Sequence, residues 1–332
     1  MHLPMALIFG LLTALVSLTI LIRLYFKKYL NNQQFVFHFF GSLFCAVLVF
    51  FMGQWAYLSF YLRWVFAVLY LVVFILTVIK RSKMNKGKPG LGSGVYIIFR
   101  LIFTLMMGFL VFTYFSSRNL DRPAIALKFP FRSGTYYIMQ GGTNRLTNPA
   151  HRNFSMSKYG FAEDISKLYA TGNRAKGILP ESVKDYAIYG DTVLSPCRGR
   201  VILVCDTVQT NKPGHYNIKN VHGNHIIIQC KGYRVFLAHF IKDNIFVKPG
   251  DIVNAGTPLG IAGNSGFSAE PHLHINVYTD YDTEQYVEDA NRKENHKKRM
   301  RDAIYDDFRY SGTSTPFTLD GNFYILNDII EK

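Results

Sequence analysis

The first 117 residues contain ten Lys/Arg and not one Asp or Glu, the earliest acid being Asp121. Four apolar runs fill that stretch, at about 5–26, 35–56, 64–80 and 95–115. A helix rises 1.5 Å per residue and the bilayer's hydrocarbon core is about 30 Å thick, so roughly 20 apolar residues span it. A buried helix of a soluble protein explains one such run, but not four without an acid between them. The first run lacks the basic start and small-residue cleavage site of a signal peptide. Residues 1–117 therefore read as an all-α polytopic membrane region of four helices, with the lipid bilayer as its partner.

Orientation follows from the loops. Arg23, Lys27 and Lys28 follow the first run, and Lys80, Arg81, Lys83, Lys86 and Lys88 separate the third from the fourth. The loop between the second and third has only Arg63. Basic loops stay in the cytoplasm, so everything beyond residue 117 is expected on the extracytoplasmic side of the membrane. The chain's net charge of +15 would otherwise suggest a nucleic-acid partner. Beyond residue 117, however, there are 27 basic and 22 acidic residues. The excess is a topology signal, and no nucleic acid is expected.

From Arg118 the pattern changes to short β-rich runs broken by Gly, Pro and Asn. Strands are expected at 134–139, 199–204, 225–230, 234–239 and 273–278, making residues 118–280 a mainly antiparallel β domain. Residues 281–332 are expected to form a charged helical insertion, centred on 283–308, and a C-terminal tail packing on that domain. The insertion at 166–185 and the charged segment are both placed to cover a groove. Of the exported cysteines Cys197, Cys205 and Cys230, two can pair, and the sequence leaves the choice open.

His272 and His274 lead into an apolar strand, and residues two apart on a strand face the same way. Two imidazoles side by side suit two metal ligands, or one ligand and one acid/base group. His239 ends another strand candidate, and Asp164 lies in the segment Phe161-Ala162-Glu163-Asp164-Ile165.

Together these segments resemble the lysostaphin/LytM-type zinc metallopeptidases. The string Gly263-Asn264-Ser265-Gly266-Phe267-Ser268-Ala269-Glu270-Pro271-His272-Leu273-His274 resembles that family's C-terminal motif. Gly190-Asp191-Thr192-Val193, Gly223-Asn224-His225, Leu237-Ala238-His239-Phe240 and Val247-Lys248-Pro249-Gly250-Asp251 follow in the family's order. The family's usual metal-binding His stands four residues before the Asp, where this chain has Gly160. A subgroup with an earlier His is matched by Gly141-Gly142-Thr143-Asn144, Asn148 and His151, thirteen residues before Asp164.

The resemblance implies a lysostaphin/LytM-type β fold holding Zn2+ through His151, Asp164 and His274, with His239 and His272 as the catalytic pair. It implies a zinc endopeptidase cutting peptide bonds of bacterial peptidoglycan, with membrane or cell-wall proteins as possible partners. Gly160 motivates the alternative, a catalytically inactive domain acting as a scaffold or regulator of cell-wall hydrolases. A third reading gives the membrane half its own transport or sensing role. His38 and Arg100 are its only ionisable candidates there, and no acid exists to pair with either.

Overall fold

Four helices carry the apolar runs in the computed structural model, which describes residues 5–29, 32–82, 93–152, 160–279 and 312–332. They are α1 (Met5–Phe26), α2 (Asn32–Met52), α3 (Leu62–Ser82) and α4 (Ser93–Ser116). Each is long and apolar enough to cross a membrane, with mean hydropathy of 2.0 to 2.5. Helix α2 begins and ends earlier than the expected 35–56. Its last turn is closed at Val49, whose carbonyl accepts from the Gly53 N–H (2.9 Å) and from Trp55 Nε1 (2.8 Å). The chain then makes a 3-10 turn over Trp55–Tyr57.

Contacts divide the chain into two units: Met1–Ser116 with Tyr169–Leu179, and Ser117–Leu168 with Pro180–Lys332. Within the first unit, the loop between α2 and α3 clasps the 169–179 segment. Phe60 N donates to Gly172 O (2.8 Å), Arg174 N to Ala56 O (3.0 Å) and Ser59 Oγ to Thr171 O (2.7 Å). Asn173 Nδ2 also donates to Leu58 O. The Arg174 side chain is 1% exposed, its guanidinium 3.6 Å from the Tyr57 ring centre. Such stacking lets a cation sit inside a helical unit that holds no acid.

The second unit is built on an eleven-stranded sheet. Its main path runs β13 (Ile329–Glu331), β2 (Thr135–Gln140), β3 (Glu163–Leu168), β10 (Leu273–Thr279), β7 (Tyr233–Ile245), β6 (Asn224–Cys230), β5 (Gly199–Cys205), β8 (Ile252–Val253). Strand β4 (Thr192–Leu194) pairs with β9 (Pro258–Ala262), which also pairs with β7, and β11 (Thr313–Ser314) pairs with β10. These pairings are antiparallel. The exception to the expected pattern is a separate parallel pair, β1 (Ile125–Leu127) with β12 (Phe317–Leu319). Residues 312–332 lie against this domain as strands β11, β12 and β13. The charged segment 283–308 lies outside the described residues.

Alternation sorts the sheet's two faces. Ile226, Val235, Leu237, Ile275 and Val277 enter the large apolar core on one face. Leu203, Ile227, Phe236, Ala238 and Tyr278 form a smaller cluster on the other. Ladder register puts His225, Ala238, His274, Asp164 and Gln140 in one row across that second face. Cys197 and Cys230, 33 residues apart, form the disulfide, leaving Cys205 and Cys45 as thiols.

Candidate metal centre

Asp164 and His274 come to the site as direct neighbours on β3 and β10. Asp164 Oδ1 lies 3.0 Å from His274 Nδ1, 3.5 Å from His151 Nε2 and 3.6 Å from His272 Nε2. His151 arrives from elsewhere, on the four-residue helical turn α5 (Pro149–Arg152). One ligand atom each from His151, Asp164 and His274 falls within 4.8 Å of the others. A tetrahedral zinc with bonds of roughly 2.0–2.1 Å has its donors about 3.3–3.4 Å apart. The measured separations bracket that edge length, and two imidazole nitrogens with a carboxylate oxygen suit zinc. The residues present therefore fit the metal.

His239 reaches the site by a departure from alternation. Asn224 pairs with Phe240 and His225 with Ala238, so His239 is an extra residue bulged out of β7. Ala238 already faces the site, and regular pleating would send His239 to the opposite face. Its backbone instead turns left-handed, φ 76°, and a bulge beside an active site re-aims a side chain in this way. The ring then lies 4.7 Å from that of His272 and 5.9 Å from that of His274.

Both of these histidines are held by backbone carbonyls. His239 Nδ1 donates to Ser265 O (2.7 Å) and His272 Nδ1 to Glu270 O (2.8 Å). With Nδ1 protonated, a neutral ring presents Nε2 as its acceptor. The 263–272 loop that supplies these carbonyls is pinned in turn. Ser265 Oγ donates to Phe240 O, Ser268 Oγ to Asn264 Oδ1, and Asn211 Nδ2 to Gly266 O.

Electrostatics separate the carboxylate from the rings. Burial pushes the Asp164 carboxyl up. The charges of His151 and His272, with hydrogen bonds from His151 and His274, outweigh burial and hold it well below the usual carboxylate range. Burial, then neighbouring His272 and His274, pushes His239 well below the ordinary imidazole value. Burial also lowers His274, partly offset by its hydrogen bond to Asp164. An ionised Asp164 carboxylate beside a His274 ring whose proton affinity is lowered is the state a cation requires. On the opposite face, Glu163 is 1% exposed. Burial, then Asp328 and Asp164, holds its carboxyl well above the usual range.

Residues 182–288 match peptidase family M23. That match lies within the β domain and covers about a third of the chain. The matched stretch contains His239, His272 and His274 and begins after His151 and Asp164. Among solved structures, the chain is similar to the catalytic domain of lysostaphin from Staphylococcus simulans. There the identity is 23% and the TM-score 0.23, covering 29% of this chain and 65% of that one. A zinc-containing peptidase from Vibrio cholerae gives 23% identity and a TM-score of 0.28, covering 46% and 37%. The catalytic domain of the prophage-encoded M23 protein EnpA from Enterococcus faecalis gives 22% identity and a TM-score of 0.23, covering 34% and 72%. The chain thus spans less than two-thirds of the first two. No curated protein matches.

The β domain gathers the five residues expected from sequence into one cluster. His225 lies beyond Ala238 in the same sheet row, and burial lowers its imidazole to about 4. Asn148, Ser265 and Ser268 were not singled out for a role from the sequence. Their signal was present only as position: an Asn three residues before a His on a turn, and two Ser within the loop leading to His272.

Proposed function

We propose that the protein is a membrane-anchored zinc endopeptidase that hydrolyses peptide bonds of peptidoglycan outside the cytoplasmic membrane. The observation that carries this reading is the mutual approach of His151, Asp164 and His274, with His239 and His272 alongside. The M23 match and the four apolar helices support the substrate class and the anchoring.

His151, Asp164 and His274 would hold the metal. The chemistry a zinc ion would supply there is a water acidified toward a pKa of about 7 and polarisation of the scissile carbonyl. His239 and His272 stand beside these three residues with Nε2 as the working atom. One of the pair takes a proton from the attacking water. The other donates to the developing oxyanion or to the leaving amine. Because each Nδ1 is anchored on a carbonyl, the rings need no rotation as the proton moves.

The test uses the full chain in detergent, with metal analysis and a count of new amines released from purified cell-wall peptides. Bound zinc together with amine release, abolished by a chelator and restored by zinc, is expected. Bound zinc with no amine release would overturn the enzymatic reading in favour of a scaffold.

A further inference from the structure

His151 must be aimed without help from strand geometry. Asp164 and His274 project from paired strands whose register fixes them, whereas a single helical turn of four residues fixes very little. Ala150 N donates to Gln140 Oε1 (3.2 Å) and Arg152 Nε to Gly160 O (2.7 Å). The contact that reaches the His151 ring itself is that of Asn148, immediately before the turn and 0% exposed. Its backbone N–H donates to Asn144 O (3.1 Å), and Asn144 Oδ1 in turn accepts from Leu146 N and Thr147 N.

The Asn148 side chain works at both ends. Nδ2 donates to Ala162 O (2.9 Å) and to Gly142 O (3.4 Å). Two carbonyls can face only the amino end of an amide, so the network itself assigns Oδ1 to the other side. There Oδ1 lies 2.6 Å from His151 Nδ1. An acceptor at that distance requires the proton on Nδ1, which leaves Nε2 as the electron-pair donor. Nε2 is the atom that faces Asp164 Oδ1. Ala162, whose carbonyl receives the amide, precedes Asp164 by two residues. One buried side chain therefore ties the turn bearing His151 to the strand bearing Asp164.

We propose that Asn148 is the positioning residue of the metal centre: it sets the tautomer and aim of His151 and fixes that ring against the Asp164 strand. The inference rests on the reading of His151 as a metal ligand. It accounts for how a His from a separate turn can replace one at the position of Gly160, four residues before the Asp.

Two substitutions separate aiming from folding. Asn148→Ala removes both functions. Asn148→Asp keeps an oxygen to accept from His151 Nδ1 but loses the donor to Ala162 O and Gly142 O. The probe is Co2+ titrated into full-length metal-free protein in detergent, read by its visible absorption, with the melting temperature of the metal-free form measured alongside. Outer-sphere partners of metal-bound His are generally worth about 10–100-fold in affinity. Asn148→Ala is expected to weaken cobalt binding by that factor, and Asn148→Asp to stay within about threefold of wild type while still melting earlier. Wild-type affinity in Asn148→Ala, or equal loss of cobalt in both variants, would overturn the positioning role while leaving the metal centre standing. A wild-type protein that takes up no cobalt would overturn the metal centre itself, and this role with it.

Discussion

Asp164 and His274 face each other across the β3–β10 ladder, and this register places Nδ1 of one 3.0 Å from Oδ1 of the other. His272, one residue before that strand, approaches the same oxygen to 3.6 Å. Proximity alone thus does not distinguish ligand from proton carrier. The two rings differ in the nitrogen they turn to the carboxylate: His272 presents Nε2, with Nδ1 on Glu270 O, whereas His274 presents Nδ1.

Substitution should sort the two roles. Asp164→Asn and His274→Ala are expected to reduce bound zinc from about one per chain to near none, because each removes one of only three protein donors. His272→Ala is expected to keep its zinc and lose amine release, by a factor on the order of 10²–10⁴. Metal analysis of the three purified variants decides this, and a zinc-free His272→Ala protein would contradict it.

His239 sits at φ 76° with a full side chain. A left-handed conformation costs a non-glycine residue about 1–2 kcal/mol, and glycine almost nothing. Both His239→Ala and His239→Gly should abolish peptide cleavage. Of the two, the glycine variant should be the more stable by about 1 kcal/mol, or roughly 2–4 °C in melting temperature for a domain of this size. An alanine variant that melts at or above the glycine one would show that the bulge is not strained.

His225 is buried, donates from Nδ1 to Gly223 O, and has its imidazole lowered from 6.5 to about 4. A lowered folded-state value means that protonation favours the unfolded chain. Its neutral form therefore contributes stability above pH 6.5, and that contribution is lost as the pH falls toward 4. The loss approaches about 3 kcal/mol at the acid end. His225→Phe should flatten the stability curve across that window in denaturant titrations, and an unchanged slope would exclude His225 as its source.

The clasp in the helical unit can be tested with a matched pair of glycines. Gly172 and Gly177 have almost the same backbone, φ 79° and 77°. A Cβ at Gly172 would meet Ser59 Oγ and the Tyr61 ring at 2.9 Å and Phe60 N at 3.0 Å, while one at Gly177 meets nothing within 4 Å. Both alanine variants bear the conformational cost of about 1–2 kcal/mol. Only Gly172→Ala also crowds the clasp, so it should melt measurably below Gly177→Ala. Equal melting of the two would mean that the contact yields without cost.

Much of the fold could be read from the chain because its signals are local. Runs of apolar residues define α1 to α4, and alternation marks β5, β6, β7 and β10. Strands β11 to β13 escaped because two or three residues show no period; they exist because β10, β1 and β2 offer edges to pair with. The Cys197–Cys230 pairing was likewise a matter of tertiary proximity. At the site, spacing showed that His272 and His274 share a face. Nothing local showed that His239 would leave its regular face, since the bulge depends on the β6 register. Nor was Asn148 legible as a positioning group, because its carbonyl partners Gly142 and Ala162 are six and fourteen residues away.

The grouping of 169–179 with the helices has a practical consequence for anyone wishing to handle the β domain without them. A fragment starting at residue 118 would include Tyr169 to Leu179 yet omit Ala56, Tyr57 and Phe60. Arg174, 1% exposed in the whole chain and stacked on Tyr57, would lose that shelter a few residues after β3, the strand that bears Asp164. Weak activity in such a fragment would report the missing clasp as readily as a deficient active site.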